Sequence, residues 1–356
     1  MNKVLFRVDG SFEIGLGHVF RCVSLAEGLS EAGIESVFCI KETDKGTSDI
    51  VEKMGFRVIK ISEALGINED ARFTIKILKK EMINIVIFDI AHSKNMANLK
   101  QFERYLRQFV SLNRIIISID DISQLNLTFD IRVIPYLGAE KHFKIESSKS
   151  KLLLGSDYFI FNKEFIEAAN VVRVIKPKAT KILITAGGSD PFGLTSFIIN
   201  DIYKVVNNNK LSVRIVIGPK FSFNEVKKIK DALNYYKIKP ELISGKPKIM
   251  SRLLLWADLA IIAGGLTKYE AAVTGTPAIT ISPFDREAEM VRYFETGGTL
   301  VNLGILNSLQ AYDIANALNN LIFNQMLRLQ MSKNGKNLFD THGVSRIVSE
   351  IQNIIN

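Results

Sequence analysis

The sequence predicts an α/β protein of two doubly wound, Rossmann-like domains facing a cleft, with a helical C-terminal tail. Strand-length β-branched or aromatic runs alternate with amphipathic stretches. The alternation stops in lysine-rich, poorly periodic segments and then restarts. At 356 residues the chain also exceeds the length at which one hydrophobic core usually stops growing.

Taken in order, residues 4–8 read as a strand and 18–32 as a helix, followed by strand 36–40, helix 47–54, strand 83–88, helix 95–110 and strand 115–119. That rhythm makes βαβ units on a parallel sheet. Lysine-rich stretches near 141–151 and 171–180 interrupt it. Strands resume at 181–185, 213–217, 241–243, 259–262 and 278–281, with helices such as 194–206 and 223–235 between them. Residues 309–323, 325–338 and 344–354 are helical in pattern and end the second domain. The expected domains are 1–170 and 175–356. Sheets of this kind bind ligands at the carboxyl ends of their strands, so two of them would present those ends along one cleft.

Composition narrows the function classes. The chain is 47% hydrophobic and 23% charged, as globular proteins are, with a net charge of +9 that suits an anionic ligand. Its lysines are scattered (Lys79-Lys80, Lys227-Lys228, Lys246, Lys248) with no basic block interleaved with aromatics, which argues against a nucleic-acid partner. Cys22 and Cys39 lie in apolar segments without metal or redox spacing and read as core thiols of a reducing compartment. Arg7 and Asp9 stand where a signal peptide needs its apolar stretch, and the apolar runs 83–87 and 115–117 are only strand-length, so a cytoplasmic protein is expected.

Three glycine turns follow strands. The first runs from Asp9-Gly10-Ser11 to Gly15-Leu16-Gly17-His18, with Arg21 one helical turn on. Its glycines admit a ligand close to the backbone, the helix start favours an anion, and His18 exchanges a proton near neutral pH. The alternative is a plain βα turn with His18 as a cap or packing group. A dinucleotide pattern would require glycine where Phe20 stands, and an acid after the next strand, where Ile40-Lys41 stands. The second turn, Gly187-Gly188-Ser189-Asp190-Pro191, either admits a diphosphate or sugar or is a turn with Ser189 and Asp190 as helix caps. The third, Gly264-Gly265-Leu266-Thr267-Lys268-Tyr269-Glu270, again opens a helix. Glu270 there either accepts from vicinal ribose hydroxyls or simply sits favourably at a helix start. Asp89 and Asp120-Asp121 end strands, as a second acid/base group or as caps and loop salt bridges. His92 and His142 read as loop residues, and no cluster has metal-ligand spacing, so neither a metal nor a cofactor is expected.

These residues resemble a known family. Residues 9–26, with Gly15-Leu16-Gly17-His18 and Arg21-Cys22 among them, resemble the opening of the UDP-sugar hydrolases of pseudaminic acid biosynthesis and of related spore-coat polysaccharide proteins. Asp120-Asp121, Leu154-Gly155-Ser156-Asp157-Tyr158, Gly187-Gly188-Ser189-Asp190-Pro191 and Ala263-Gly264-Gly265 through Glu270 and Pro277 look like that family's landmarks in the same order. Asp340-Thr341-His342-Gly343 with Arg346 resembles its tail motif. The chain departs from the family in reading Asp89-Ile90-Ala91-His92-Ser93 where a Tyr is usual, Asn162 where an Arg is common, and Asp285-Arg286-Glu287 for an Asn-Gln pair.

The resemblance implies a glycosyltransferase-B fold, with an N-terminal sugar/catalytic domain and a C-terminal nucleotide-binding domain. It implies metal-independent hydrolysis of a UDP-linked diacetamido-trideoxy-sugar at the anomeric carbon, releasing UDP. His18 then matches the essential histidine, with Asp9, Gly15, Gly17, Arg21, Asp89, Asp120, Gly187, Gly188, Ser189 and Asp190 around the substrate. Gly264, Gly265, Leu266, Thr267, Tyr269 and Glu270 match the nucleotide-holding stretch. The competing expectations are a glycosyltransferase of the same fold, for which alone peripheral membrane contact is expected, a non-catalytic nucleotide-sugar sensor or scaffold, and an epimerase that eliminates UDP.

Overall fold

The computed structural model describes residues 2–10, 16–42, 46–90, 99–120, 127–142, 150–244 and 250–355. The chain divides into two units, Met1–Asn162 with Thr341–Asn356, and Lys163–Asp340. Unit 1 carries β1 (Lys3–Gly10), β2 (Glu35–Glu42), β3 (Arg57–Ile61), β4 (Ile85–Asp89), β5 (Ile115–Ile119), β6 (Ile131–Ile134) and β7 (Lys151–Leu154). They form one sheet, ordered β3-β2-β1-β4-β5-β6-β7, with all pairs parallel. Residues with side chains on alternate faces explain its two layers. Val4, Phe6, Val8, Ile85 and Ile87 join the core formed with helix Gly17–Glu31, whereas Leu5, Val37, Val86 and Phe88 join the core on the other face.

Unit 2 carries β8 (Lys181–Thr185), β9 (Ser212–Ile217), β10 (Glu241–Ser244), β11 (Leu259–Ala263), β12 (Ala278–Ser282) and β13 (Leu300–Ile305). Their order is β10-β9-β8-β11-β12-β13, again all parallel. In each unit the winding reverses beside the first strand, between β1 and β4 and between β8 and β11. Such switch points are where open α/β sheets hold ligands. No helix among the described residues is long and apolar enough to cross a membrane.

Four strands escape the sequence pattern. Strands β3 and β7 lie at the sheet edge, where half-exposed residues such as Arg57, Lys60 and Lys151 dilute the apolar signal. Strand β6 carries Arg132, which is fully buried with its guanidinium over the Phe129 ring, 4.7 Å from the centroid. Strand β13 contains Gly304 with φ 81, and its pairing with β12 shifts register.

The two units divide the chain differently from the expected 1–170 and 175–356, which kept the tail with the second domain. The first crossing falls at Asn162–Lys163, and the chain returns to unit 1 at Thr341. Helix Gly343–Ile355 buries Ile347, Val348 and Ile351 in the same core as Val23, Ala26 and Leu29 of helix Gly17–Glu31. The contact needs Gly28, where a Cβ would stand 2.4 Å from Val344 Cγ1. An apolar helical face can be read in the sequence, but not the notch that receives it.

Candidate active site

At the carboxyl end of β1 the chain turns into helix Gly17–Glu31, whose cap position, Leu16, makes no side-chain cap hydrogen bond. Gly10 is required by packing, since a Cβ there would lie 2.8 Å from Val19 Cγ2. Gly17 begins the helix and His18 follows in its first turn. Gly15, Asp121 and His92 lie outside the described residues.

Parallel pairing sets Val8 against Asp89, bringing the end of β4 beside this turn. His18 Nδ1 lies 2.7 Å from Asp89 Oδ1. Arg21 donates from Nε to Asp89 Oδ2 at 2.8 Å, and from Nη2 to Asp89 Oδ1 at 2.8 Å and Asp120 Oδ2 at 3.0 Å. Its Nη1 donates to the Tyr136 hydroxyl at 3.1 Å. Asp89 is fully buried, which alone would raise its pKa, yet Arg21 and His18 hold it well below the usual carboxylate range. Asp120 reaches Arg21 from a left-handed backbone, φ 63. Burial pushes the Tyr136 phenol well above its ordinary value, with Asp120 acting in the same direction.

This geometry selects the histidine tautomer. Arg21 Nη2 also lies 2.9 Å from His18 Nδ1, but one nitrogen cannot both donate to Asp89 and accept from Arg21. An ionised carboxylate at 2.7 Å requires a proton on Nδ1. Nε2 is then the basic nitrogen of a side chain that keeps 19% exposure. The ligand-type atoms of His18, Asp89 and Asp120 all lie within 4.8 Å of one another. The Arg21 guanidinium supplies the positive charge those two carboxylates need.

Asp9 stands apart from this group. Residue alternation puts it on the other face of β1, where its carboxylate accepts from Arg7 and from the Lys41 amide at 3.1 Å. Arg7 in turn binds Asp70 at 2.8 Å, and Tyr105 donates to Asp70 at 3.0 Å.

In unit 2, Gly187 (φ 88) and Gly188 follow β8, and a Cβ on either would meet nothing within 4 Å. Their carbonyls pack on Gly218, where a Cβ would come within 2.4 Å of both oxygens, and the Lys220 amide donates to the Gly188 carbonyl at 2.9 Å. Asp190 is a cap: it accepts from the Leu194 and Thr195 amides, each at 2.7 Å, at the start of helix Leu194–Asn209. Ser189 sits between the glycine pair and that cap.

The third turn follows β11. Gly264 packs so tightly that a Cβ would meet Ser282 Oγ at 2.6 Å and Glu287 Oε2 at 3.2 Å, whereas one at Gly265 would meet nothing within 4 Å. The half-buried Leu266 accepts from the Tyr269 amide at 2.9 Å, and the short helix Thr267–Val273 begins. Burial pushes Glu270 up to about 7, while a hydrogen bond from Thr267 opposes the shift. Tyr269, expected at the nucleotide, is instead a core residue, 1% exposed, with its ring edge-on to Phe294 at 4.8 Å and tilted against Phe339 at 5.6 Å. Helical spacing explains this, because residue 269 lies about 200° round the helix from 267 and about 100° from 270. On the loops after β8 and β12, the strands flanking β11, half-exposed Phe192 and Phe284 meet edge-to-face at 4.8 Å.

The sequence pattern assigned no role to Tyr136, Lys268, Glu287 or this aromatic pair. Tyr136 follows the unrecognised β6, and Lys268 sat unremarked within a quoted motif.

The two doubly wound parallel sheets have the glycosyltransferase-B fold. Among solved structures, MurG of Acinetobacter baumannii superposes with a TM-score of 0.67 at 13% identity, covering 99% of this chain and 100% of that one. The UDP-GlcNAc 2-epimerase of Neisseria meningitidis, bound to UDP-GlcNAc, gives 0.66 at 14% identity over 99% and 100%. At these identities the likeness is one of fold.

No protein-family model matches the chain. By sequence it is similar to the spore coat polysaccharide biosynthesis protein SpsG of Bacillus subtilis, 24% identical over 351 residues, 97% of this chain and 96% of SpsG. It is also 29% identical over 288 residues to the uncharacterized protein MJ1062 of Methanocaldococcus jannaschii, covering 78% of this chain and 55% of that protein. The chain thus spans about half the length of MJ1062.

Proposed function

We propose that this protein hydrolyses a UDP-linked sugar of the diacetamido-trideoxy class at the anomeric carbon, yielding UDP and a free sugar for nonulosonic acid or surface polysaccharide synthesis. The observation that carries the reading is the His18–Asp89 pair at the β1/β4 switch point. With Nδ1 held protonated, Nε2 takes a proton from water as the oxygen attacks the anomeric carbon. The glycosidic C–O bond breaks, its electron pair leaves with UDP, and the proton ends on His18. Within unit 2, the turn around Gly265 is read as a group that holds a diphosphate, its backbone amides offsetting the negative charge. Similarity to SpsG along nearly the whole chain supports the polysaccharide setting, and the UDP-GlcNAc bound to the Neisseria epimerase supports the choice of ligand.

The test incubates the pure protein with UDP-sugars and water as the only acceptor. UDP release that disappears in His18→Ala is the expected result, and tight binding without turnover would sink the enzymatic reading. Similarity to a spore coat polysaccharide biosynthesis protein also suits a second reading, transfer of the sugar to a glycan or lipid hydroxyl, with Nε2 deprotonating that acceptor instead of water. UDP release that begins only when an acceptor is added distinguishes it.

A further inference from the structure

We infer that Lys268 is a positioning residue of the nucleotide site: by holding the Gly264 and Gly265 carbonyls it keeps the amides of Gly265 and Leu266 aimed at a diphosphate. This rests on the nucleotide reading above and adds to it the residue that sets the aim of the turn.

Lys268 is 6% exposed, and its ammonium donates to the Gly264 carbonyl at 2.5 Å and the Gly265 carbonyl at 3.0 Å. Burying an ammonium is costly unless it is well paired, so its presence beneath this turn demands a return. The rings of Tyr269 and Phe294 add faces at 5.0 and 5.8 Å. Across the turn, Glu287 reaches the same place from helix Asp285–Thr296, its Oε2 buried with no hydrogen-bond partner among the described residues. Burial raises the Glu287 pKa and Lys268 opposes the rise.

The consequence follows from peptide geometry. In a planar trans peptide the C=O and the N–H of the next residue point in opposite directions. Two carbonyls drawn to a buried ammonium therefore turn the amides of Gly265 and Leu266 away from it. No atom lies within 4 Å of where a Gly265 Cβ would stand, so a ligand can come close to the backbone at this residue. Helix Thr267–Val273 spans only two turns, and the fixed peptides do what a longer helix start would otherwise do.

The experiment compares UDP with uridine by calorimetry on wild type, Lys268→Met, Lys268→Gln and Lys268→Arg. Lys268→Met is expected to weaken UDP roughly tenfold or more while leaving uridine within about twofold, since only the diphosphate contacts the turned amides. Lys268→Arg restores most of the UDP affinity. If the Met variant does not fold, Lys268→Gln, polar but shorter and uncharged and so unable to hold both carbonyls, reports the same ratio. Equal losses for both ligands, or no loss for either, overturn the positioning role. A wild-type chain that binds neither ligand overturns the nucleotide reading and this inference with it.

Discussion

Asp89 Oδ1 stands 2.7 Å from His18 Nδ1, although 71 residues separate the two in the chain. Parallel pairing of β1 with β4 creates the contact, by setting Asp89 against Val8. Arg21 then makes the carboxylate tolerable in a fully buried place, binding both of its oxygens. A histidine held in one tautomer, beside a carboxylate held in one charge state, is a prepared base.

His18→Ala should lower kcat for UDP release by roughly 10²–10⁴-fold and leave UDP affinity unchanged, because in the proposed reaction the imidazole acts on the attacking oxygen. Single-turnover rates with direct UDP titration measure both. An unaltered rate would remove His18 from the chemistry.

Asp89→Asn leaves the Arg21 guanidinium buried without its main counter-charge, and frees His18 to adopt the other tautomer. The expected cost is about 3–5 kcal/mol of stability, read by urea denaturation, together with a large fall in kcat. Because Asp89 is held below the usual range in the folded protein, its stabilisation is complete above the ordinary carboxylate pKa and is lost as pH falls through and below it. The variant should therefore show a shallower acid limb than wild type.

Glu270 is raised to about 7, so its proton is gained on folding and its contribution to stability declines as pH rises from about 4.5 through 7. Ligand binding runs the other way. A ribose donating two hydroxyls prefers the carboxylate, so uridine affinity should rise as pH passes through 7 and then level off. Uridine has no phosphate to titrate in that window. Glu270→Gln should flatten the profile, and an unchanged profile would show that Glu270 does not meet the ribose.

Ile347→Ala and Ile351→Ala each remove a fully buried side chain from the helix that returns to unit 1. Each should cost about 2–5 kcal/mol by chemical denaturation. Gly28→Val should also destabilise, by overpacking against Val344. Ends of the chain that fray freely would show no such cost.

Strands with both faces buried announce themselves. Ile85-Val86-Ile87-Phe88 and Leu259-Ala260-Ile261-Ile262 are continuous apolar runs because helices cover the sheet on each side. Edge strands β3 and β7 did not, since their exposed positions accept Arg57, Lys60 and Lys151 without penalty. Of the residues expected around the substrate, His18, Arg21, Asp89 and Asp120 come together, while Asp9 joins Arg7 on the opposite face and Asp190 caps a helix. Those distinctions depend on which side of a strand a carboxylate leaves. Position along the strand is written locally, but its partners are not.

The sequence by itself determined the doubly wound character of both sheets and the glycine turns after β8 and β11, because periodicity and glycine placement are local properties of the chain. Only the tertiary structure decided that Asp89 and Arg21 fix His18, that Lys268 lies under the Gly264–Gly265 turn, and that the last helix belongs to the first unit. Each of these joins a side chain to groups beyond its own local pattern, and a contact of that kind exists only once sheet order and helix packing have brought the partners within a few ångströms.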